Sequence, residues 1–308
     1  MNSIEINKLT KKFGNFISVN GISFNVKEGE IFGFLGANGA GKSTTIRMLC
    51  GILAPTSGDA TVAGYSVSEN PEEVKRRIGY MSQRFSLYND LTIDENINFF
   101  GGVYGLSGTE FDERKKWVLR IADLRGKENI LTGSLPGGIK QRLALGTAVI
   151  HRPPIVFLDE PTSGVDPISR KKFWELINEL SADGTTLFVT THYLEEAEYC
   201  NNIVLLDEGK IIAEGNSKEL KEKYLKETIW EIGCDDAVAV VQLLENQEFT
   251  KEATLFGNNI HLIADPIITS ESQLIELLKK RNIPVSRVEK IVPSLEDVFV
   301  HLLAEEKE

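Results

Sequence analysis

The segment GANGAGKST, Gly36 to Thr44, follows directly on the apolar run IFGFL (Ile31–Leu35). Its spacing is G-x-x-x-x-G-K-[ST], and each position answers a chemical demand. Glycines leave backbone N–H groups uncovered, so that they can close around phosphate oxygens. The helix that must follow opens with free N–H groups and a positive dipole end, which favour an anion. Lys42 reaches the β- and γ-phosphates, and Ser43 offers a hydroxyl to Mg2+. A second stretch, IVFLDEP, runs a buried strand straight into Asp159 and Glu160. A carboxylate at a strand's C-terminal end beside such a loop is placed to hold Mg2+, directly or through water. That role falls to Asp159, and Glu160 can polarise an attacking water as a general base. A third stretch, SLPGGIKQRLALG (Ser134–Gly146), sets Gly137 and Gly138 at a helix start with no nucleophile or metal ligand in reach.

These residues need a scaffold of buried strands. IFGFL, IVFL (Ile155–Leu158), LFVT (Leu187–Thr190) and IVLL (Ile203–Leu206) are continuous apolar runs, as in a parallel sheet covered on both faces. Helical segments follow three of them, which gives a layered α/β domain. Ile22, Phe24 and Val26 alternate, as in a half-exposed strand. TVAG (Thr61–Gly64) and IIAEG (Ile211–Gly215) read as further strands ending at turn glycines. Between about 85 and 150 the pattern is helical. Thr92 and Glu95 form a capping box, with Ile93, Ile97, Phe100 and Tyr104 on one helix face. Trp117, Ile121 and Leu124 repeat that spacing in the next helix.

A Lys/Glu-rich helix, Ser217–Glu227, closes this first domain, taken as 1–227. From 228 to 308 the order is β-α-β-β-α-β: strand Ile229–Ile232, helix Ala237–Glu245, strands Phe249–Phe256 and Ile260–Ala264, helix Glu271–Arg281, strand Val285–Ile291. This is the split βαβ arrangement of a small α+β domain. Ser294 and Asp297 then cap a short terminal helix. The fold class expected from these patterns is α/β with a helical insert, plus that accessory domain.

The net charge of -11 and pI near 5.1 leave no basic stripe, which argues against a nucleic-acid partner. The cysteines Cys50, Cys200 and Cys234 are far apart and unmatched, which suits a reducing compartment better than a disulfide or zinc framework. The N-terminus reads as neither a signal nor a transit peptide. No apolar run approaches the ~18 residues that span a bilayer.

Taken in order, the motifs from about Ile4 to Glu227 resemble those of the ATP-binding cassette (ABC) ATPases, the nucleotide-binding subunits of transporters. Phe13 in KKFGNF matches the aromatic that stacks on adenine. Gly36–Thr44 matches the Walker A loop, Gln83 in GYMSQ the Q-loop, and Asp159 with Glu160 the Walker B aspartate and catalytic glutamate. Ser163–Asp166 matches the D-loop, and His192 the switch histidine. LPGGI (Leu135–Ile139) stands where the family has LSGGQ, which begins a helix and caps the ATP of the other subunit. Pro136 and Ile139 depart from that pattern, removing a hydroxyl, an N–H and an amide.

The resemblance extends the fold class to a P-loop ATPase with a mixed sheet core and an antiparallel β subdomain, and it implies ATP and Mg2+ as cofactors. It implies nucleotide contacts from Phe13, Gly36, Asn38, Gly39, Ala40, Gly41, Lys42, Ser43, Thr44, Gln83, Asp159, Leu135, Gly137, Gly138 and Asp166. It gives catalytic roles to Glu160, His192, Lys42 and Gln83, and Mg2+ contacts to Ser43, Gln83 and Asp159. LPGGIKQRLALG, DEPTSGVDP, THYLEEAEYC and PSLEDVF resemble the ABC-2 type multidrug and antibiotic exporters. That group implies a separate transmembrane permease, a second nucleotide-binding subunit in a homo- or heterodimer, and a peripheral place on the cytoplasmic face of the membrane. The stretch after Gln83, RFSLYND, is the expected coupling surface. A soluble ATPase acting on nucleic acid or the ribosome, or a regulatory cassette without transport, are the alternatives. Lys42, Asp159, Glu160 and His192 are all present, which favours turnover.

Overall fold

The computed structural model describes residues 1–83 and 87–305. They fall into two compact units, Met1–Ser217 and Lys218–Glu308. The first unit runs β1 (Asn2–Phe13), β2 (Phe16–Lys27), β3 (Ile31–Gly36), α1 (Lys42–Leu49), β4 (Ser57–Val62), β5 (Tyr65–Ser66), α2 (Pro71–Arg77) and β6 (Ile78–Met81). It continues with α3 (Ile93–Val103), α4 (Gly108–Ile121), α5 (Gly137–Ala148), β7 (Ile155–Asp159), α6 (Pro167–Ala182), β8 (Thr186–Thr191), β9 (Asn202–Asp207) and β10 (Lys210–Gly215).

Two sheets form its core. The six-stranded sheet has the order β10-β9-β3-β8-β7-β6, and the antiparallel sheet the order β2-β1-β4-β5. All neighbours in the larger sheet are parallel except β10 on β9. As the alternation predicted, Ile22, Phe24 and Val26 of β2 turn inward. The Phe24 ring stacks on Phe32 at 5.2 Å and on Phe34 at 5.5 Å, which joins the two sheets through an aromatic layer with Phe157 and Phe188. Each such ring contributes about 1.5–3 kcal/mol by leaving water. The other side of the large sheet carries α6, whose Phe173, Trp174, Leu176, Ile177 and Leu180 are buried. Cover on both faces is why β3, β7 and β8 are buried along their length.

The parallel register sets the chemistry. Leu35 pairs with Thr191, Asp159 with Thr190, and Met81 with Leu158. The C-terminal ends of β3, β8, β7 and β6 therefore form one row, where an open α/β sheet collects its ligand-binding loops.

The helical region departs from expectation in detail. The Thr92–Glu95 capping box is present, and Ile93 and Ile97 are buried. Phe100 and Tyr104 are only half-buried, and Tyr104 is already the cap of α3. In α4 the buried face is Arg114, Val118 and Leu119, not Trp117, and Leu124 lies beyond the helix end. Arg114 explains the shift. Its guanidinium donates to the carbonyls of Val149 and Ile150, capping α5, and Trp117 lies over it at 4.3 Å. After β8 the chain makes a 3-10 turn, Leu194–Tyr199.

The helix at the division, α7, spans Ser217–Tyr224 and stops short of the expected Glu227. The second unit then runs β11 (Ile229–Gly233), α8 (Ala237–Glu245), β12 (Thr250–Phe256), β13 (Asn259–Ala264), α9 (Glu271–Lys280), β14 (Arg287–Ile291) and α10 (Leu295–Glu305). Its sheet, β12-β13-β11-β14, is antiparallel throughout, as a split βαβ fold requires. Trp230, Ile232, Ile260 and Leu262 face α8 and α9 in its core. Ser294 and Asp297 exchange hydrogen bonds at the head of α10, as the sequence predicted. Among the described residues no helix is long and apolar enough to cross a membrane.

Candidate functional site

The loop after β3 turns tightly into α1. Gly41 sits at φ 107° as the helix cap, and a Cβ there would lie 2.4 Å from the Ser18 carbonyl oxygen. Only glycine meets both conditions. Asn38 and Gly39 are exposed at the loop crest, while Ala40 is buried beneath it. Gly36 lies at the end of β3, and Thr44 accepts a hydrogen bond from the Ser18 hydroxyl at 3.0 Å. Lys42 is 4% exposed, and its ammonium donates to the carbonyls of Gly36 at 2.8 Å and Ala37 at 3.2 Å.

At the end of β7, Asp159 is buried and accepts hydrogen bonds from Ser43 at 3.1 Å and Thr190 at 2.8 Å. Burial pushes its carboxyl up, against those two hydroxyls, and the neighbouring Glu160 adds to the rise. Glu160 follows at φ 48°, a left-handed position that costs a non-glycine residue of order 1–3 kcal/mol and tends to sit at functional sites. Its N–H holds the turn by donating to the Thr190 carbonyl and hydroxyl, at 3.1 and 3.0 Å.

The Glu160 carboxylate is where the row of strand ends converges. Oε1 lies 3.4 Å from the Lys42 ammonium. Oε2 accepts from the Gln83 amide at 2.9 Å and lies 3.2 Å from Nδ1 of His192. So the segments that follow β3, β6 and β8 each bring one predicted residue to the buried carboxylate that follows β7. The recorded contact of Gln83 is Glu160, not the Ser43–Asp159 pair. Of the expected coupling stretch, Arg84, Phe85 and Ser86 lie outside the described residues, Leu87 is buried and Tyr88 is exposed.

Phe13 is 49% exposed at the tip of the β1–β2 hairpin, with the Lys11 ammonium 5.4 Å from its ring centre. A ring so placed offers a free face to a planar partner. Pro136 caps α5, and Gly137 is its first residue, exposed with open space around it. Leu135 is half-buried ahead of it. Gly138 differs: a Cβ there would fall 2.3 Å from Ser169 Cβ, so it packs on the first turn of α6. Asp166 caps that helix, accepting from the Ser169 amide at 2.9 Å. Among the described residues none of Leu135–Gly138 is hydrogen-bonded to the phosphate loop of its own chain.

The sequence reading missed Thr190, which bonds both Asp159 and Glu160, and Glu196, a buried carboxylate in the turn after His192. Thr190 closes an apolar run, and that position was its one available signal.

The ABC transporter family matches residues 19–163. The family described as ATP-binding protein DrrA1-3-like, C-terminal domain, matches residues 215–303. The chain is 50% identical over 218 residues, 71% of its length, to the probable multidrug ABC transporter ATP-binding protein YbhF of Escherichia coli strain K12, and spans 38% of that relative. It is 36% identical over 308 residues to the Nod factor export ATP-binding protein I of Rhizobium sp. strain N33, covering 99% of this chain and 98% of that one. Among solved structures, the dimeric post-hydrolysis state of the ATP-binding cassette MJ0796 bound to ADP and Pi is 28% identical. Its TM-score is 0.63, with 69% of this chain and 98% of that chain covered.

Proposed function

The chain belongs to the ABC transporter family, and on that premise we propose that it is the ATP-hydrolysing subunit of an exporter, pairing head to tail with a second nucleotide-binding subunit and driving a separate transmembrane permease from the cytoplasmic face of the membrane. The relative named for Nod factor export supports the direction of transport, and the relative named as a multidrug ABC transporter ATP-binding protein supports a role in transport. The observation that carries the reading is the convergence of Lys42, Gln83 and His192 on Glu160 beside the phosphate loop.

ATP enters with its phosphates over the N–H groups of Gly36–Thr44 and its adenine against the free face of Phe13. Lys42 then exchanges the carbonyls of Gly36 and Ala37 for phosphate oxygens, which also draws it from Glu160. Glu160 polarises the attacking water, and His192 contacts the γ-phosphate. Gly137, exposed at the start of α5, presents its N–H to the ATP of the other subunit.

The donor set at Ser43 and Asp159 fits Mg2+: one hydroxyl and one buried carboxylate oxygen, hard ligands already 3.1 Å apart. Mg2+ when bound there would neutralise charge on the phosphates. Gln83 is the third residue proposed to approach it.

The test is Glu160→Gln, with sedimentation velocity and phosphate release as readouts. Hydrolysis is expected to fall by about 10²–10⁴-fold, the range of general-base contributions, while saturating ATP drives the variant into a dimer. A variant that stays monomeric with ATP refutes head-to-tail pairing. One that hydrolyses normally refutes Glu160 as the base.

A further inference from the structure

Glu196 is 1% exposed in the 3-10 turn that follows His192, an unusual place for a carboxylate. Its Oε1 accepts from the Thr162 hydroxyl at 2.5 Å and lies 3.4 Å from Nε of Arg170. Among the described residues its Oε2 is buried without a hydrogen-bond partner, and Arg170 Nε is likewise buried without one. The pair is thus close enough to attract and not aligned to bond. A buried carboxylate left half-satisfied costs stability, and persists where the arrangement serves something else.

The surroundings show what it serves. Thr162 lies two residues after Glu160 in the turn off β7. Arg170 is on α6, with its guanidinium 4.4 Å over the Tyr193 ring. The Tyr193 ring is 4.1 Å from that of His192, whose Nδ1 meets Glu160. A closed circuit results: Glu160, His192, Tyr193, Arg170, Glu196, Thr162, and back along the chain to Glu160. Its neighbour on α6, Ser169, packs on Gly138 at the head of α5.

We propose that Glu196 is a positioning residue: through Thr162 and Arg170 it fixes the segment carrying His192 against the turn carrying Glu160 and against α6. This rests on the catalytic reading of Glu160 and His192 given above. Removing the Glu196 charge frees Arg170 and the Tyr193 ring beneath it, and His192 loses its lateral support. The contacts of Thr162, Arg170 and Glu196 described above go to one another and to Tyr193, not to the phosphate loop, so ATP affinity stays while the chemical step slows. Misplacing a reacting group by about 1 Å can cost about 10²-fold in rate.

The experiment is steady-state ATP hydrolysis by the full chain as wild type, Glu196→Gln, Arg170→Met, Arg170→Lys and the double variant Glu196→Gln/Arg170→Met, with thermal melts alongside. Glu196→Gln and Arg170→Met are each expected to lower kcat by about ten-fold or more with KM for ATP within about two-fold. The double variant is expected to be no slower than the slower single, because the two residues act as one unit. Arg170→Lys is expected to recover part of the loss. Arg170 is partly exposed, so its variants carry the test even if Glu196→Gln does not fold. An unchanged kcat, a rise in KM that accounts for the loss, or multiplicative effects in the double variant overturns the assignment while the catalytic reading stands. A wild-type chain that does not hydrolyse ATP overturns both.

Discussion

Replacing Gly138 by alanine sets a methyl group 2.3 Å from Ser169 Cβ, 2.4 Å from its Oγ and 3.6 Å from Val165 Cγ1. Overpacking of this kind costs about 1–3 kcal/mol. Alanine returns up to about 1 kcal/mol of helix propensity, less in a first turn. The net loss is about 1–2 kcal/mol, a fall in Tm of roughly 3–7 °C for a unit of this size. Gly137→Ala is the control. Nothing lies within 4 Å of its Cβ, so the isolated chain should melt within about 1 °C of wild type or slightly higher. The two variants then exchange places in the pairing assay: Gly137→Ala, which on the proposed reading crowds the N–H offered to a neighbour's phosphate, should weaken ATP-dependent dimerisation in the Glu160→Gln background. The decisive measurement is a double-mutant cycle by differential scanning calorimetry. In a Ser169→Gly background, Gly138→Ala should cost nearly nothing, since the colliding Cβ and Oγ are gone. If Gly138→Ala melts like wild type, or costs the same with and without the Ser169 side chain, the packing argument for the second glycine is wrong.

Two other consequences can be checked by similar means. Pro136 caps α5 with no side-chain bond. Pro136→Ser supplies an acceptor for the first-turn N–H groups, about 1 kcal/mol of helix stability, and on the proposed reading adds a hydroxyl toward the partner's phosphate. ATP-dependent dimerisation and turnover should both rise, and unchanged values in both contradict the reading. His151 donates through Nε2 to the Ile78 carbonyl at 3.2 Å, stacks on Tyr104 at 3.5 Å, and keeps Nδ1 buried without a partner among the described residues. Burial, opposed by the Ile78 bond and aided by nearby Arg114, pushes its imidazole down from 6.5 to about 4. The folded value lies below the unfolded one, so its contribution is complete above pH 6.5 and is lost as the pH falls toward 4. The upper bound is about 3 kcal/mol, and about 1–2 kcal/mol after solvent screening. Urea midpoints of His151→Phe should fall less than those of wild type between pH 7 and 4.5, and parallel losses would remove the assignment.

The sequence made the strands and the phosphate loop legible because burial on both faces leaves an unbroken apolar run, and an anion cradle leaves glycines. The C-terminal unit was legible through its β-α-β-β-α-β order and the capping pair Ser294 and Asp297, while the Ser270 cap of α9 was missed. What failed was side-chain detail inside helices. Arg114 reads as a surface residue of an amphipathic helix, yet it is buried because the carbonyls of Val149 and Ile150 need donors. Glu196 sits in a run of acids, and no local pattern distinguishes it from Glu195. The twin glycines looked equivalent because spacing says nothing about which side of a helix start meets another helix.

The arrangement of charge around Glu160 also explains why separate strands were needed to build one site. A carboxylate 7% exposed has lost most of its water and needs polar partners in exchange. Here Lys42, Gln83 and His192 all supply them, so that the candidate base is occupied by the residues that would bind phosphate. On the proposed reading, ATP competes for Lys42 and His192 and thereby releases Glu160 toward water only when a γ-phosphate is in place. A base held in this way is silent in the resting chain, and the left-handed backbone at Glu160 keeps it aimed at the row of strand ends while it waits. Each partner must come from a different strand, because one strand end presents a single loop. The parallel register that aligns β3, β6, β7 and β8 is therefore the structural condition for the chemistry.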